Sequence, residues 1–99
     1  MRVNINAVHF RTDKKLDQFI TEKMEKLSGL YDGIISSDVT LRLEKSEAIE
    51  NKVAEIKLQV RGNDLFAKKQ SKSFEEATDT AIEALRRQLT RHKEKMRGE

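Results

Sequence analysis

A dense group of basic side chains near the C-terminus is the strongest local indication of a functional site in the sequence. Residues 86–97 contain six lysines and arginines and one acid, so the segment carries +5, and the rest of the chain carries −2 because the total is +3. Like charges three or four residues apart on a helix repel one another mildly. A phosphate backbone would neutralise them and release counterions. The basic residues are Arg86, Arg87, Arg91, Lys93, Lys95 and Arg97, and the acid is Glu94.

The same charges also have a purely structural explanation. Residues 74–85 hold four acids and no base. Acids near the start of a helix and bases near its end favour the helix dipole, by about 0.3–1 kcal/mol per charge. Six bases in twelve residues exceed what one dipole needs. Composition alone therefore leaves both nucleic-acid binding and a solvated helix face open.

Two smaller groups of lysines have local explanations. Lys23 and Lys26 share one face of a predicted helix because they are three residues apart. Neighbouring glutamates nearly cancel their charge, which favours a solvated surface. Three more lysines flank the start of a second predicted helix, where lysines on a last strand would discourage edge-to-edge pairing. They are Lys68, Lys69 and Lys72.

The sequence lacks the residue groups that enzymes and metal sites usually require. It contains no cysteine, and its two histidines, His9 and His92, are too few for a dedicated metal site. A structural or RNA-contacting role fits His92 better. There is no phosphate-binding loop, nucleophile elbow or dinucleotide fingerprint. We therefore expect no enzymatic activity, no cofactor, no metal and no small-molecule substrate.

Alternating apolar residues predict four strands. Polar residues 45–51 form the predicted loop between the second and third strands, and Gly62-Asn63-Asp64 the tight turn after the third. The second strand carries Val39, Leu41 and Leu43 on one face. The predicted strands are residues 3–8, 39–44, 54–61 and 65 to about 71.

Helical spacing of apolar residues predicts two amphipathic helices. Thr12 or Asp13 caps the first, which ends near Gly29 or at the turn formed by residues 31–33. Ser73 caps the second, with a glutamate three residues later to complete a capping box. The apolar stripe of the second helix is Phe74, Ala77, Ala81, Leu85, Leu89 and Met96, widened by Ile82.

The order β-α-β-β-β-α predicts an α+β fold, a four-stranded sheet with two helices packed on one face. The other face, with Arg42, Lys57 and Gln59, stays open to solvent or a partner. This order is similar to the double-stranded-RNA-binding fold with an extra leading strand. A chain of 99 residues has room for one core, so we expect a single domain over 1–99 with an ordered core of about 2–95. No apolar run is long enough to span a membrane, and we expect a cytoplasmic protein.

The end of the basic segment resembles a family motif. Residues 87–95 read RQLTRHKEK, and the ribosome hibernation-promoting factors, also called sigma-54 modulation proteins, have R-Q-L-x-K/R-H-K-x-K at the end of their second helix. Residues 23–27 are similar to the basic-x-x-K-L segment of their first helix. Length and element order also match, so the resemblance covers nearly the whole chain. Glu75 stands where members often have tyrosine, and Ala84 where lysine is common.

The resemblance implies a ribosome hibernation factor that binds the small ribosomal subunit near the decoding channel, blocks messenger and transfer RNA and inhibits translation. Its partners would be 16S-type ribosomal RNA and neighbouring ribosomal proteins, with no membrane partner. The chain resembles the short forms, so any pairing of ribosomes would require another factor. The RNA-binding residues carried over by position are Lys23, Lys26, Arg87, Arg91, His92, Lys93 and Lys95, to which charge alone adds Arg86.

Two other functions remain compatible with the sequence. A general double-stranded-RNA-binding module would bind any long RNA duplex with similar affinity. A protein-interaction module, such as a modulator of a transcription factor, would bind its partner without ribosomal RNA.

Overall fold

The strands and helices follow one another in the predicted order. The computed structural model describes residues 1–44 and 49–96. The sheet has the order β1-β2-β3-β4, with β1 parallel to β2 and the other neighbours antiparallel. The predicted α+β class is therefore confirmed. The elements are β1 (Arg2–Ala7), α1 (Lys14–Ser28), β2 (Ile34–Leu43), β3 (Lys52–Val60), β4 (Asn63–Ser71) and α2 (Phe74–Met96).

Local hydrogen bonds set the ends of both helices. Asp13 caps α1, because its carboxylate accepts a hydrogen bond from the backbone N–H of Leu16 at 2.7 Å. The Ser73 hydroxyl accepts one from the N–H of Glu76 at 3.1 Å and caps α2. Gly29 follows the last residue of α1, as predicted. Both helix starts are thus determined by residues that can be read from the sequence.

The core lies between one face of the sheet and the two helices. Helix α2 packs over β3 and β4, and α1 packs against α2 and β1. Phe74 is half-buried and stacks on Phe10 with ring centroids 5.0 Å apart. In the described part of the chain, neither helix is long and apolar enough to cross a membrane. The buried members of the predicted α2 stripe are Ala77, Ala81, Ile82, Leu85 and Leu89, and the side chain of Met96 lies outside the described residues.

The turn between β3 and β4 begins one residue earlier than predicted. Val60 pairs with Asn63, so the turn consists of Arg61 and Gly62 instead of residues 62–64. Gly62 has φ +90°, a conformation that two-residue hairpin turns require and that glycine adopts without strain. Strand β4 consequently starts at Asn63. Part of the other predicted loop, residues 45–48, lies outside the described residues.

The open face of the sheet carries charges that are largely matched within the face. Arg42 pairs with Glu55 at 3.0 Å, and Lys57 pairs with Asp64 at 3.5 Å. Phe66 on β4 is 52% exposed between these polar neighbours. The predicted open face is confirmed, and its balanced charge contrasts with that of α2.

Candidate nucleic-acid interface

Three of the predicted RNA-binding residues form a row along α2. Arg87, Arg91 and Lys95 are four residues apart, so they lie one above another at about 6 Å per step along the helix axis. All three are exposed. Within residues 1–44 and 49–96, none of them forms an ion pair or a side-chain hydrogen bond. We call these three residues the cationic row.

The cationic row lies beside β4, which is an edge strand of the described sheet. Gln88, next to Arg87 in sequence, donates a hydrogen bond from Nε2 to the backbone carbonyl of Phe66 at 2.9 Å. Arg91 and Lys95 border a cleft that they share with Asn63 at the start of β4. The row therefore follows the edge of the sheet.

Other predicted residues lie on the flank of α2 that faces α1. Lys93 donates from Nζ to the backbone carbonyl of Leu30 at 2.9 Å, which ties the end of α2 to the segment after α1. Lys23 on α1 pairs with Asp79 on α2 at 3.4 Å, and its ammonium lies 5.4 Å from the centroid of the Phe19 ring. These two lysines already have partners within the protein.

Arg86 and Lys26 complete this second set. Arg86 is seven residues from Lys93, so both lie on the same flank of α2, and it pairs with Glu83 at 3.6 Å. Lys26 is exposed in the last turn of α1, three residues after Lys23. We call Lys23, Lys26, Arg86 and Lys93 the α1-side group. The structure thus separates the exposed cationic row from the α1-side group, whose members lie on α1 and on the flank of α2 that faces it.

His92 occupies a different environment from the other predicted residues. It is only 8% exposed and continues the buried stripe, seven residues after Leu85. Its ring meets Tyr31 edge to face with centroids 5.4 Å apart. Its Nε2 is buried and has no hydrogen-bond partner within the described residues. The sequence contained the signal for this burial, because spacings of four and seven from Leu85 reach Leu89 and His92.

Sequence reasoning missed two residues beside the cationic row. The sequence pattern places Asn63 in a turn, and only the packing of α2 on β4 brings it near Arg91 and Lys95. Gln88 was recognised within the family motif but not as a site residue. No local pattern could have indicated Asn63, since its position depends on two elements that are distant in sequence.

The lysines near the start of α2 are spread over several surfaces. Lys68 is exposed on the open face of β4, Lys69 is half-buried on the helix side, and Lys72 is exposed after the strand. Because β4 is an edge strand of the described sheet, the edge-protection hypothesis for these lysines stays compatible with the fold.

As for metals, the residues that the structure describes contain no cluster of three His, Asp or Glu side chains able to hold an ion.

Fold and site together define a small α+β protein with two helices on one sheet face and a cationic row exposed along the second helix. The family model of the Sigma 54 modulation protein / S30EA ribosomal protein family matches residues 3–97. The chain belongs to this family. The predicted family membership is therefore confirmed.

Curated relatives agree with this membership. The chain is 31% identical over 98 residues to a ribosome hibernation promoting factor from Pseudomonas putida, covering 99% of this chain and 92% of that protein. It is 31% identical over 97 residues to the one from Escherichia coli K12, covering 98% of each.

Two solved structures share the fold. A ribosomal subunit interface protein from Coxiella burnetii has a TM-score of 0.84 at 16% identity, over 94% of this chain and 98% of that chain. The N-terminal domain of Thermus thermophilus Protein Y has a TM-score of 0.79 at 20% identity, over 93% and 99% respectively.

Proposed function

We propose that this protein binds the small ribosomal subunit through the cationic row and keeps the ribosome idle. The observation that carries the proposal is the row itself, three exposed cations without an acidic partner in the described part of the chain. Like charges four residues apart destabilise a helix, and a phosphate backbone removes that repulsion. The names of the relatives, ribosome hibernation promoting factors, support ribosomal RNA as the source of the phosphates.

The geometry of the row suits an RNA strand. Its step of about 6 Å is close to the separation of successive phosphates along one RNA strand, so three cations can meet three phosphates. Contacts of this kind recognise backbone shape and charge instead of base sequence. The small ribosomal subunit would provide such a strand in its ribosomal RNA, with neighbouring ribosomal proteins completing the binding site.

The α1-side group forms a second and weaker part of the proposed surface. Exposed ion pairs, such as those of Lys23 with Asp79 and Arg86 with Glu83, contribute only about 0–1 kcal/mol. Exchanging an acidic partner for a phosphate therefore costs little free energy. We expect His92 mainly to support α2 from the core side, because it is only 8% exposed; the RNA contact predicted from the sequence would use the small part of its surface that lines the cleft.

The proposed location is near the decoding channel, where the bound protein overlaps the paths of messenger and transfer RNA. This overlap inhibits translation in the cytoplasm without any catalytic step. A competition experiment tests it. Small subunits are loaded with a short messenger RNA and labelled initiator transfer RNA, and the protein is added in increasing amounts.

We expect the labelled transfer RNA to be released as the protein binds, with release nearly complete at one protein per subunit. Transfer RNA retained on subunits that also carry the protein would contradict the proposed blocking. The alternatives predict other outcomes. A general double-stranded-RNA binder would bind any long duplex as tightly as subunits, and a transcription-factor modulator would be recovered with a protein after nuclease treatment.

A further inference from the structure

A cleft between α2 and the start of β4 lies directly beside the cationic row. Its volume is about 210 Å³, which gives room for several water molecules at about 30 Å³ each. Arg91 and Lys95 form the side nearest the row. The remaining lining residues are Asn63, Leu65, Gln88 and His92.

The lining combines positive charge, an apolar wall and amide groups, and a phosphate group alone would use only the positive charge. Arg91 and Lys95 supply positive charge, and Leu65 supplies an apolar wall. Gln88 uses its Nε2 to donate to Phe66, so its Oε1 remains available as an acceptor. The amide of Asn63 offers both a donor and an acceptor. A sugar hydroxyl or a base edge, attached to a phosphate, would match this combination.

The fold holds the Gln88 side chain of the cleft and positions the backbone of Asn63. Gln88 is fixed by its 2.9 Å hydrogen bond to the edge strand. Asn63 follows the tight Arg61-Gly62 turn, and this turn is tied to the segment before β2 by a 3.2 Å hydrogen bond from the backbone N–H of Arg61 to the carbonyl of Gly33. A ligand that bonds to Gln88 therefore meets a side chain that folding has already ordered, which lowers the entropy cost of binding.

We propose that the cleft receives one ribonucleotide of the RNA strand whose phosphates lie along the cationic row. This inference rests on the proposed function and specifies it further. The phosphate of that nucleotide contacts Arg91 and Lys95, and its ribose 2′-hydroxyl bonds to the amides of Asn63 and Gln88. Because DNA lacks the 2′-hydroxyl, the cleft favours RNA over DNA.

The test replaces the cleft amide without changing charge. Asn63→Leu fills the cleft with an apolar group, Asn63→Ser removes the amide without added bulk, and Asn6→Leu is the matched control on the exposed face of β1 at the other edge of the sheet. Affinity for purified small subunits is measured at several salt concentrations. Single-stranded RNA and DNA of one sequence are compared at low salt.

We expect both Asn63 variants to bind subunits about fivefold to tenfold more weakly than Asn6→Leu, the loss that one or two uncharged hydrogen bonds explain. The slope of affinity against salt should not change, because no ion pair is removed. We also expect the original protein to bind the RNA strand more tightly than the DNA strand, and Asn63→Ser to lose that preference.

Two results would overturn the cleft proposal while leaving ribosome binding intact. One is subunit affinity of both Asn63 variants equal to that of Asn6→Leu. The other is equal binding of the RNA and DNA strands by the original protein. Failure of the original protein to bind subunits at all is a separate result, because it would defeat the proposed function itself. Thermal unfolding of each variant shows whether the fold is retained, and Asn63→Ser decides the matter if Asn63→Leu unfolds.

Discussion

Reversing the charge of the cationic row, by Arg87→Glu together with Arg91→Glu, is expected to weaken binding to small ribosomal subunits by at least about a hundredfold. Two phosphate contacts are lost, and two acids are placed against the same phosphates, where like charges cost several kcal/mol. Both side chains are exposed and unpaired within the described residues, so the fold should remain intact. Co-sedimentation with subunits measures the affinity, and thermal unfolding checks the fold.

The matched control makes the same change of net charge at the opposite end of the molecule. Arg11 and Lys14 are exposed near the start of α1, beside Phe10, which stacks on the first residue of α2. Helix α2 rises about 1.5 Å per residue, so Arg91 lies about 25 Å farther along the helix axis than Phe74. Arg11→Glu with Lys14→Glu should bind nearly as the original protein does. Equal losses in the two double variants would show that net charge, and not the cationic row, governs binding.

Replacing His92 is expected to change stability and not RNA contact. His92→Ala leaves a space beside Tyr31 and should lower the free energy of unfolding by about 1–3 kcal/mol. For a chain of this size each kcal/mol lowers the melting temperature by about 4–8 °C. His92→Leu keeps the volume and removes the unpartnered Nε2, so the melting temperature should stay unchanged or rise.

The two His92 variants separate packing from binding. If His92 only supports α2, His92→Leu should bind small subunits within about twofold of the original protein, a difference far below the 1.4 kcal/mol of a tenfold change. Thermal unfolding and co-sedimentation are the two measurements. A His92→Leu variant that melts normally but binds tenfold more weakly would show that the imidazole contacts RNA after all.

Features determined by neighbouring residues were predicted well from the sequence. The Ser73 cap was identified, and Asp13 was one of two proposed caps for α1. The alternation along β3 was also correct, as was the buried α2 stripe from Ala77 to Leu89, because both patterns report directly which face is buried. The turn after β3 was shifted by one residue, since the turn residues alone do not determine which strand residues pair.

The partners of the charged side chains could not be predicted in the same way. Lys23 meets Asp79, and Lys93 meets the carbonyl of Leu30, across an interface between helices that are far apart in sequence. The sequence therefore indicated one basic surface, whereas the fold separates the cationic row from the α1-side group. The position of Asn63 beside the row depends on the same kind of long-range packing.

Co-sedimentation with purified small ribosomal subunits, at low and high salt and with an equal mass of duplex RNA as competitor, tests the central claim most directly. We predict stoichiometric binding that resists the competitor and weakens with salt, with a slope in log affinity of about −0.7 to −0.9 for each phosphate neutralised. Three contacts along the cationic row would give a slope of about −2 to −3. Failure to sediment at low salt, or complete displacement by the duplex, would contradict the account.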